Sequence, residues 1–218
     1  EQGLARALSS FIGIKKGLRT YEIKDSKEKV IIEESVKDVR PYTACAIVKN
    51  LHFDDDNIKE IIQLQEKLHL TYGRNRKKIA IGIYPCEKIK FPIRFLALKP
   101  DEIKFQPLEF NHELNGNQLL EKHPAGKEYG YLLKDLEKYP IFIDANNNIL
   151  SMPPVINSHL TGKVSEATKE VFIECSGFDF NVLKKCLNMI ATALSDMGGE
   201  IYQIEIKDTK KMKKGNLF

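Results

Sequence analysis

The sequence predicts an α+β fold with a mixed, mainly antiparallel sheet packed by a few helices. Three observations carry this. Short apolar or alternating runs outnumber helical ones, the two types interleave irregularly, and no βαβ rhythm or internal repeat is visible. The strongest helical signal is Asp179–Met197, where Val182, Leu183, Cys186, Met189, Ile190, Ala193, Leu194 and Met197 follow the three-four spacing of one buried face.

In chain order, residues 1–13 carry Leu4, Ala7, Leu8 and Phe11 at helical spacing, ended near Gly13. Lys29–Glu34 (KVIIEE) reads as a short strand, and the Arg40-Pro41 step after it suggests a domain boundary. Tyr42–Lys49 (YTACAIVK) reads as a strand. A helix is expected from Asn57 to about Leu70, with Asn57 and Glu60 as a capping box and Gly73 as the C-terminal cap. Asp54, Asp55 and Asp56 before it complement the helix dipole better than they suggest a metal site. Ile79–Tyr84 (IAIGIY) is apolar enough for a buried strand.

Residues 85–140 are the least regular stretch, punctuated by Pro92, Pro100, Pro107 and Pro124, with a helical turn or two at 117–122. Ile141–Asp144, the turn Ala145–Asn148 and Ile149–Ser151 form a hairpin, because Asn tolerates positive φ. Val171–Ser176 is a strand. Asp179 caps the long helix, Gly198-Gly199 end it, and Tyr202, Ile204 and Ile206 alternate as a half-buried strand.

Composition narrows the function classes. The 218 residues are 42% hydrophobic and 29% charged, which fits a globular protein and not a disordered one. No apolar run approaches the roughly 20 residues of a membrane span. No signal peptide is expected, and the lack of an initial Met suggests a fragment or a processed chain. The net charge of +4 is a mild pointer to a polyanionic partner, concentrated in Arg74, Arg76, Lys77 and Lys78 and in the tail Lys207, Lys210, Lys211, Lys213 and Lys214. Cys45, Cys86, Cys175 and Cys186 form no CxxC pair, and Cys45, Cys175 and Cys186, in apolar settings, read as buried free thiols of a reducing cytoplasm.

Catalytic signatures are sparse. There is no P-loop, GxGxxG or GxSxG, and no HxH or HExxH spacing links the five histidines, so no metal site is expected. His69, near the end of its helix, reads as a structural imidazole in a place that stabilises the protonated ring. A Ser–His–Asp assembly stays open, since its members meet only in space. Composition and periodicity stop at a mildly basic α+β domain.

One string goes further. Ser151-Met152-Pro153-Pro154-Val155-Ile156-Asn157-Ser158 is a rigid loop with an aimed amide, followed by Val171-Phe172-Ile173-Glu174-Cys175-Ser176. Together with Arg40-Pro41-Tyr42, residues 62–69 (IQLQEKLH), Gly73-Arg74-Asn75-Arg76, Ala80-Ile81-Gly82-Ile83, Glu128-Tyr129-Gly130 and Tyr139-Pro140, these motifs resemble the β subunit of phenylalanyl–tRNA synthetase of the archaeal and eukaryotic type, in order and over nearly the whole chain.

The resemblance implies that 39–207 is that subunit's editing domain, 1–38 a remnant of the preceding domain and 208–218 a basic tail. It implies a cytoplasmic α2β2 ligase that uses ATP and Mg²⁺ elsewhere, with the α subunit and phenylalanine tRNA as partners and no membrane. This part would need no cofactor and would hydrolyse tyrosine mischarged onto that tRNA by a positioned water. The need is physical, because an apolar phenylalanine pocket rejects an added hydroxyl by only about 10²-fold.

The family's functional positions fall on Phe142, Ser151, Glu174 and Ser176, with Asn157 as a further pocket residue. Glu174 would accept a hydrogen bond from the phenol or ammonium of the substrate. Ser151 and Ser176 would orient the amino acid or the water, Asn157 would fix a polar end, and Phe142 would form an apolar wall. Glu174 and Ser176 lie two apart on one strand and so share a face. The pattern departs from the family at three places, where Leu, Asp and Thr usually stand for Phe142, Glu174 and Ser176. Two other readings are a non-catalytic tRNA-binding or architectural module and a freestanding hydrolase acting in trans. The opening helix speaks against the latter. Arg74, Arg76, Lys77 and Lys78 would meet tRNA phosphates in every case.

Overall fold

The computed structural model describes residues 2–209. Residues 210–218, with most of the basic tail, lie outside the described part. Helix α1 (Gln2–Phe11) is followed by β1 (Ile23–Ile32), β2 (Tyr42–Lys49), α2 (Asp55–Leu70), β3 (Ile79–Pro85) and β4 (Ile93–Leu98). Short β5 (Lys104–Phe105) and β6 (Leu114–Asn115) precede α3 (Gly116–Lys122) and α4 (Pro124–Tyr129). Then come β7 (Tyr139–Ile143), β8 (Ile149–Met152), β9 (Ile156–Asn157), β10 (Val171–Gly177), α5 (Phe180–Asp196) and β11 (Glu200–Asp208).

Nine strands form one sheet in the order β3-β10-β2-β11-β1-β4-β7-β8-β9, and β5 pairs with β6 separately. β1 runs parallel to β11 and β4, and the other pairs are antiparallel. The α+β class with a mixed, mainly antiparallel sheet therefore holds. Strand β1 is longer than its sequence suggests and sits inside the sheet, with Val30, Ile32 and Val36 in its core. A division at residue 39 thus runs through one sheet.

Alternation along the strands builds a core on each face. Ala44, Ala46, Val48, Ile81, Ile83 and Ile173 face α2 and α5, where Leu183, Cys186, Leu187, Ile190 and Leu194 pack on them. On the other face, Cys45, Ile47, Tyr84 and Phe172 meet Ile93, Phe95, Phe142 and Leu150 from the far half of the sheet. The sheet is coiled enough for its two ends to share a core. A third cluster joins β4, β7 and β8 to α3 and α4 through Leu96, Ile141, Ile143, Leu119 and Tyr129. Helix α1 is tied to α5 by Arg6–Asp196 at 2.6 Å and leaves Leu4, Leu8 and Phe11 exposed.

Several local expectations change. Asp54, not Asn57, caps α2, and its carboxylate accepts from the Asn57 N–H at 2.7 Å. Asn57 is therefore the third helical residue, and the acids Asp55 and Asp56 fill the first turn. Thr71, not Gly73, ends α2. Gly73 is needed for closeness, because a Cβ there would lie 2.7 Å from the His69 carbonyl oxygen. The left-handed residues are Arg74, Asn75 and Arg76, at φ 50°, 53° and 63°. In the irregular stretch, β4 (IRFLAL) was hidden between Pro92 and Pro100. Pro124 begins α4 instead of breaking structure, since proline suits the first helical position. Among the described residues no helix is long and apolar enough to cross a membrane.

Asp179 caps α5 as the sequence suggests, accepting from Asn181 N at 2.9 Å and Val182 N at 3.2 Å. Asp179→Ala should lower stability by about 1 kcal/mol. Urea unfolding would show this as a lower midpoint at unchanged slope, with Asp179→Asn close to wild type.

Candidate functional site

A cavity of about 540 Å³ opens at the seam between α2 and β3 on one side and the β8–β9 loop on the other. Its apolar wall includes Ile58, Ile61 and Ile62 of α2 and Ile81 and Ile83 of β3. Ser151, Asn157 and Glu174 supply polar groups from three segments, beside Pro153 and Pro154 of the loop.

Strand register places these groups. Glu174 lies opposite Gly82 on β3 and Cys45 on β2, and Ser176 opposite Ala80 and Thr43. Ser151 lies opposite Phe142 on β7 and Asn157 on β9. Tyr84 of β3 joins the two sets. Its phenol oxygen is 2.8 Å from Ser151 Oγ, 3.3 Å from Glu174 Oε1 and 3.4 Å from Asn157 Oδ1. One phenol proton serves these acceptors one at a time. Gly82 makes the arrangement possible, because a Cβ there would overlap the Tyr84 oxygen and come within 2.6 Å of Glu174 Oε1. A glycine inside an apolar strand run is the sequence signal for such closeness.

Glu174 is 1% exposed, and its Oε2 has no hydrogen-bond partner among the described residues. Burial pushes its carboxyl up to about 8, against the opposing pull of Arg40, Tyr84 and Ser176. At neutral pH the group therefore carries a proton and can donate as well as accept, where the sequence suggested an acceptor. Arg40 stays a cation although burial lowers it to about 10. Its Nε donates to Ser176 Oγ at 3.1 Å and its Nη2 to the Ser176 carbonyl at 2.6 Å.

Ser151, Asn157 and Glu174 thus converge on the cavity. Ser176 lies on the same strand face as Glu174 but is fully buried against Arg40 and does not line the cavity. Phe142 is fully buried and stacks on Phe95 with ring centroids 4.2 Å apart, below the cavity and not in its wall.

The basic cluster divides. Arg74, Lys77 and Lys78 are exposed. Arg76 turns inward as the last of the three left-handed residues. Its Nη2 donates to Glu66 at 3.0 and 3.2 Å, its Nη1 donates to the Val155 carbonyl at 2.9 Å, and its guanidinium lies 4.3 Å from the Tyr129 ring centroid. This clamp fixes the Pro-Pro loop to α2. Glu66 also accepts from His69 Nδ1 at 3.1 Å, and His69 first, then Arg76, hold its carboxyl down at about 2. His69 Nε2 accepts the Ile81 N–H at 2.8 Å, so its proton sits on Nδ1. Burial lowers its pKa, so the ring is neutral and not the protonated imidazole that its helix position suggested. Tyr84, Gly82, Glu66 and His69 carried no sequence assignment to the site. Among the described residues no group of three or more His, Cys, Asp or Glu is arranged to hold a metal ion.

The buried carboxyl has a stability consequence. A native pKa near 8 against an unfolded value near 4.5 means the folded state binds this proton more tightly. Its contribution is full below pH 4.5 and is lost as pH rises through 8. Glu174→Gln should remove that dependence, flattening melting temperature between pH 5 and 9 and gaining up to about 5 kcal/mol over wild type at the alkaline end. Equal pH slopes in the two proteins would refute the assignment.

No protein-family model matches the chain. It is 46% identical over 205 residues to the phenylalanine–tRNA ligase beta subunit of Pyrococcus abyssi, across 94% of this chain and 37% of that subunit. The corresponding subunit of Methanosphaera stadtmanae is 40% identical across 94% of this chain and 36% of its own length. The chain thus spans little more than a third of the curated relatives it matches. Among solved structures, an N-terminal fragment of the phenylalanyl-tRNA synthetase beta-subunit from Pyrococcus horikoshii superimposes with a TM-score of 0.93 at 44% identity, covering 96% of this chain and 60% of that one. These matches place the chain, over 94% of its length, in the family of archaeal phenylalanine–tRNA ligase beta subunits.

Proposed function

We propose that this chain is the editing region of a phenylalanine–tRNA ligase beta subunit, and that the seam cavity hydrolyses tyrosine mischarged onto phenylalanine tRNA. The observation that carries this reading is the convergence of Ser151, Asn157 and Glu174, from three separate segments, on one largely apolar cavity. About 540 Å³ is ample for an aromatic amino acid with part of the terminal nucleoside. The Glu174 proton, the Ser151 hydroxyl and the Asn157 amide are donors for the phenol or the ester carbonyl. A phenylalanyl group would leave such buried donors unpaired, at about 1–3 kcal/mol each, which supports discrimination. A water held by these groups would attack the ester, and a donor aimed at the developing oxyanion would contribute about 10²–10³ in rate.

In this reading Ser176 acts behind Glu174, and Phe142 shapes the core under the site. Aminoacylation with ATP and Mg²⁺ belongs to the rest of a cytoplasmic α2β2 enzyme, with the α subunit and phenylalanine tRNA as partners. The editing unit is 39–207 completed by β1, and Arg74, Lys77 and Lys78 face tRNA phosphates.

The test is clearance of Tyr-tRNA and Phe-tRNA by the full synthetase carrying Glu174→Ala or Ser151→Ala. Clearance of Tyr-tRNA should fall about 10²-fold with aminoacylation intact. Unchanged clearance would leave a binding or architectural module. Replacing Arg74, Lys77 and Lys78 with Ala should weaken tRNA binding and flatten its salt dependence, while a steep slope retained in the variant would remove them from the interface.

A further inference from the structure

Ser151 and Glu174 sit on β8 and β10, with five strands between them in the sheet order, and no hydrogen bond joins them directly. What links them is the Tyr84 phenol, 2.8 Å from one and 3.3 Å from the other. Tyr84 is fully buried and lies outside the cavity wall, so it acts through its two partners, which do line the cavity.

We propose that Tyr84 is a positioning residue that relays hydrogen bonds between Glu174 and Ser151, so that the buried carboxyl decides whether the Ser151 hydroxyl is offered to the cavity as a donor or turned back to the phenol. The polarity follows from counting protons. A phenol has one hydrogen and can also accept. When the carboxyl is protonated, its proton on Oε1 is donated to the phenol oxygen. The phenol hydrogen then goes to Ser151 Oγ, and the serine hydrogen is free for a ligand. When the carboxyl is ionised, the phenol hydrogen turns to Oε1, and the serine hydrogen turns back to the phenol. One proton leaves Glu174 for solvent, and the others only rotate. Asn157 Oδ1, at 3.4 Å, competes for the phenol hydrogen from farther away.

Arg40, Cys45 and Tyr84 surround Glu174 from or beside its neighbouring strands, and Glu66, His69, Arg76, His159 and Lys163 line the same cavity. Arg40, before β2, keeps its charge at neutral pH. The Cys45 thiol on β2 and the Tyr84 phenol on β3 are both pushed up by burial and remain protonated. Of Arg40, Cys45, Tyr84 and Glu174, it is Glu174, near 8, that changes charge around neutrality. Tyr84 also stacks on Phe172 at 5.9 Å, so Tyr84→Phe removes the oxygen and keeps the ring packing.

The first test follows Glu174 titration by carbon-13 NMR in the 218-residue chain, with its carboxyl signal assigned by loss in Glu174→Gln. Among the hydrogen bonds of the described residues, Ser151 is joined to Glu174 only through Tyr84. Ser151→Ala should raise the Glu174 midpoint by about half a pH unit, roughly a 3-fold change, and have no such effect in a Tyr84→Phe background. An unmoved midpoint in Ser151→Ala, or an equal shift without the phenol, overturns the relay. If Tyr84→Phe does not fold, Ser151→Ala alone still decides.

The second test rests on the editing reading. In the synthetase, Tyr84→Phe should lower kcat for Tyr-tRNA clearance about 10-fold at unchanged KM and shrink the alkaline fall in rate to the part that Glu174 itself carries. Wild-type kcat and pH profile in that variant would overturn the catalytic use of the relay. A synthetase with no clearance at all would overturn the editing reading, and the titration would still decide the relay.

Discussion

An open sheet has two edges of unpaired backbone groups, and the disposal of the β3 edge governs the rest of this molecule. Helix α2 lies along that edge and satisfies it with side chains. Gln65 Nε2 donates to the Ile81 carbonyl at 2.9 Å, and His69 Nε2 accepts the Ile81 N–H at 2.8 Å. The helix is therefore held at side-chain distance from the strand, not at the spacing of a tenth strand. The space this leaves at the seam is the cavity. The same His69 orients Glu66, Glu66 holds Arg76, and Arg76 holds the Val155 carbonyl of the opposite wall. One covered edge thus positions both sides of the site.

The burial of polar groups follows from that geometry. Closing the coiled sheet traps Tyr84, Ser151 and Glu174 on its inner face, where an unpaired polar atom is costly. The phenol answers for Ser151 and for one oxygen of Glu174. The other oxygen is buried without a partner among the described residues, on a residue that lines the cavity, and it is the atom left for a ligand to satisfy. A site is most useful where the fold has left such a group unpaired, since a matching ligand then gains what the empty protein lacks.

Most of the regular elements were legible because their periodicity is strong. Strand β2, helix α5 with its Asp179 cap and the β7–β8 hairpin all follow from local pattern. The convergence of Ser151, Asn157 and Glu174 followed from family motifs that are themselves far apart in the chain. What stayed hidden depends on contacts that no window of sequence contains. Tyr84 looked like the last apolar residue of a buried strand, and its partner on β8 is 67 residues away. Arg76 sat among four basic residues within 74–78 that read as one exposed cluster, and three successive left-handed residues turn it inward. Strand β1 was legible only at its apolar end, within Lys29–Glu34, because its first seven residues, IKDSKEK, are mostly polar and its pairing partners follow it in the chain.

The position of Arg40 explains why Glu174 keeps its proton. Both are buried near the same face, and a direct bidentate pair would hold the carboxyl ionised and well below its ordinary range. Instead Ser176 takes the guanidinium with its hydroxyl and its carbonyl, at 3.1 and 2.6 Å. The arginine charge then reaches Glu174 only through space, as an opposing influence that burial outweighs. Ser176 works as a spacer that keeps a cation nearby without letting it neutralise the acid. A larger residue at that point would have to fit between Thr43 and Ala80, its cross-strand neighbours, which are both buried. The three inward residues Phe172, Glu174 and Ser176 therefore divide the labour along one strand face. Phe172 stacks under Tyr84, Glu174 meets the phenol, and Ser176 restrains the arginine. A carboxyl raised well above its ordinary range is the outcome of that order, and it leaves Glu174 uncharged at neutral pH beside the Ser151 and Asn157 groups of the cavity.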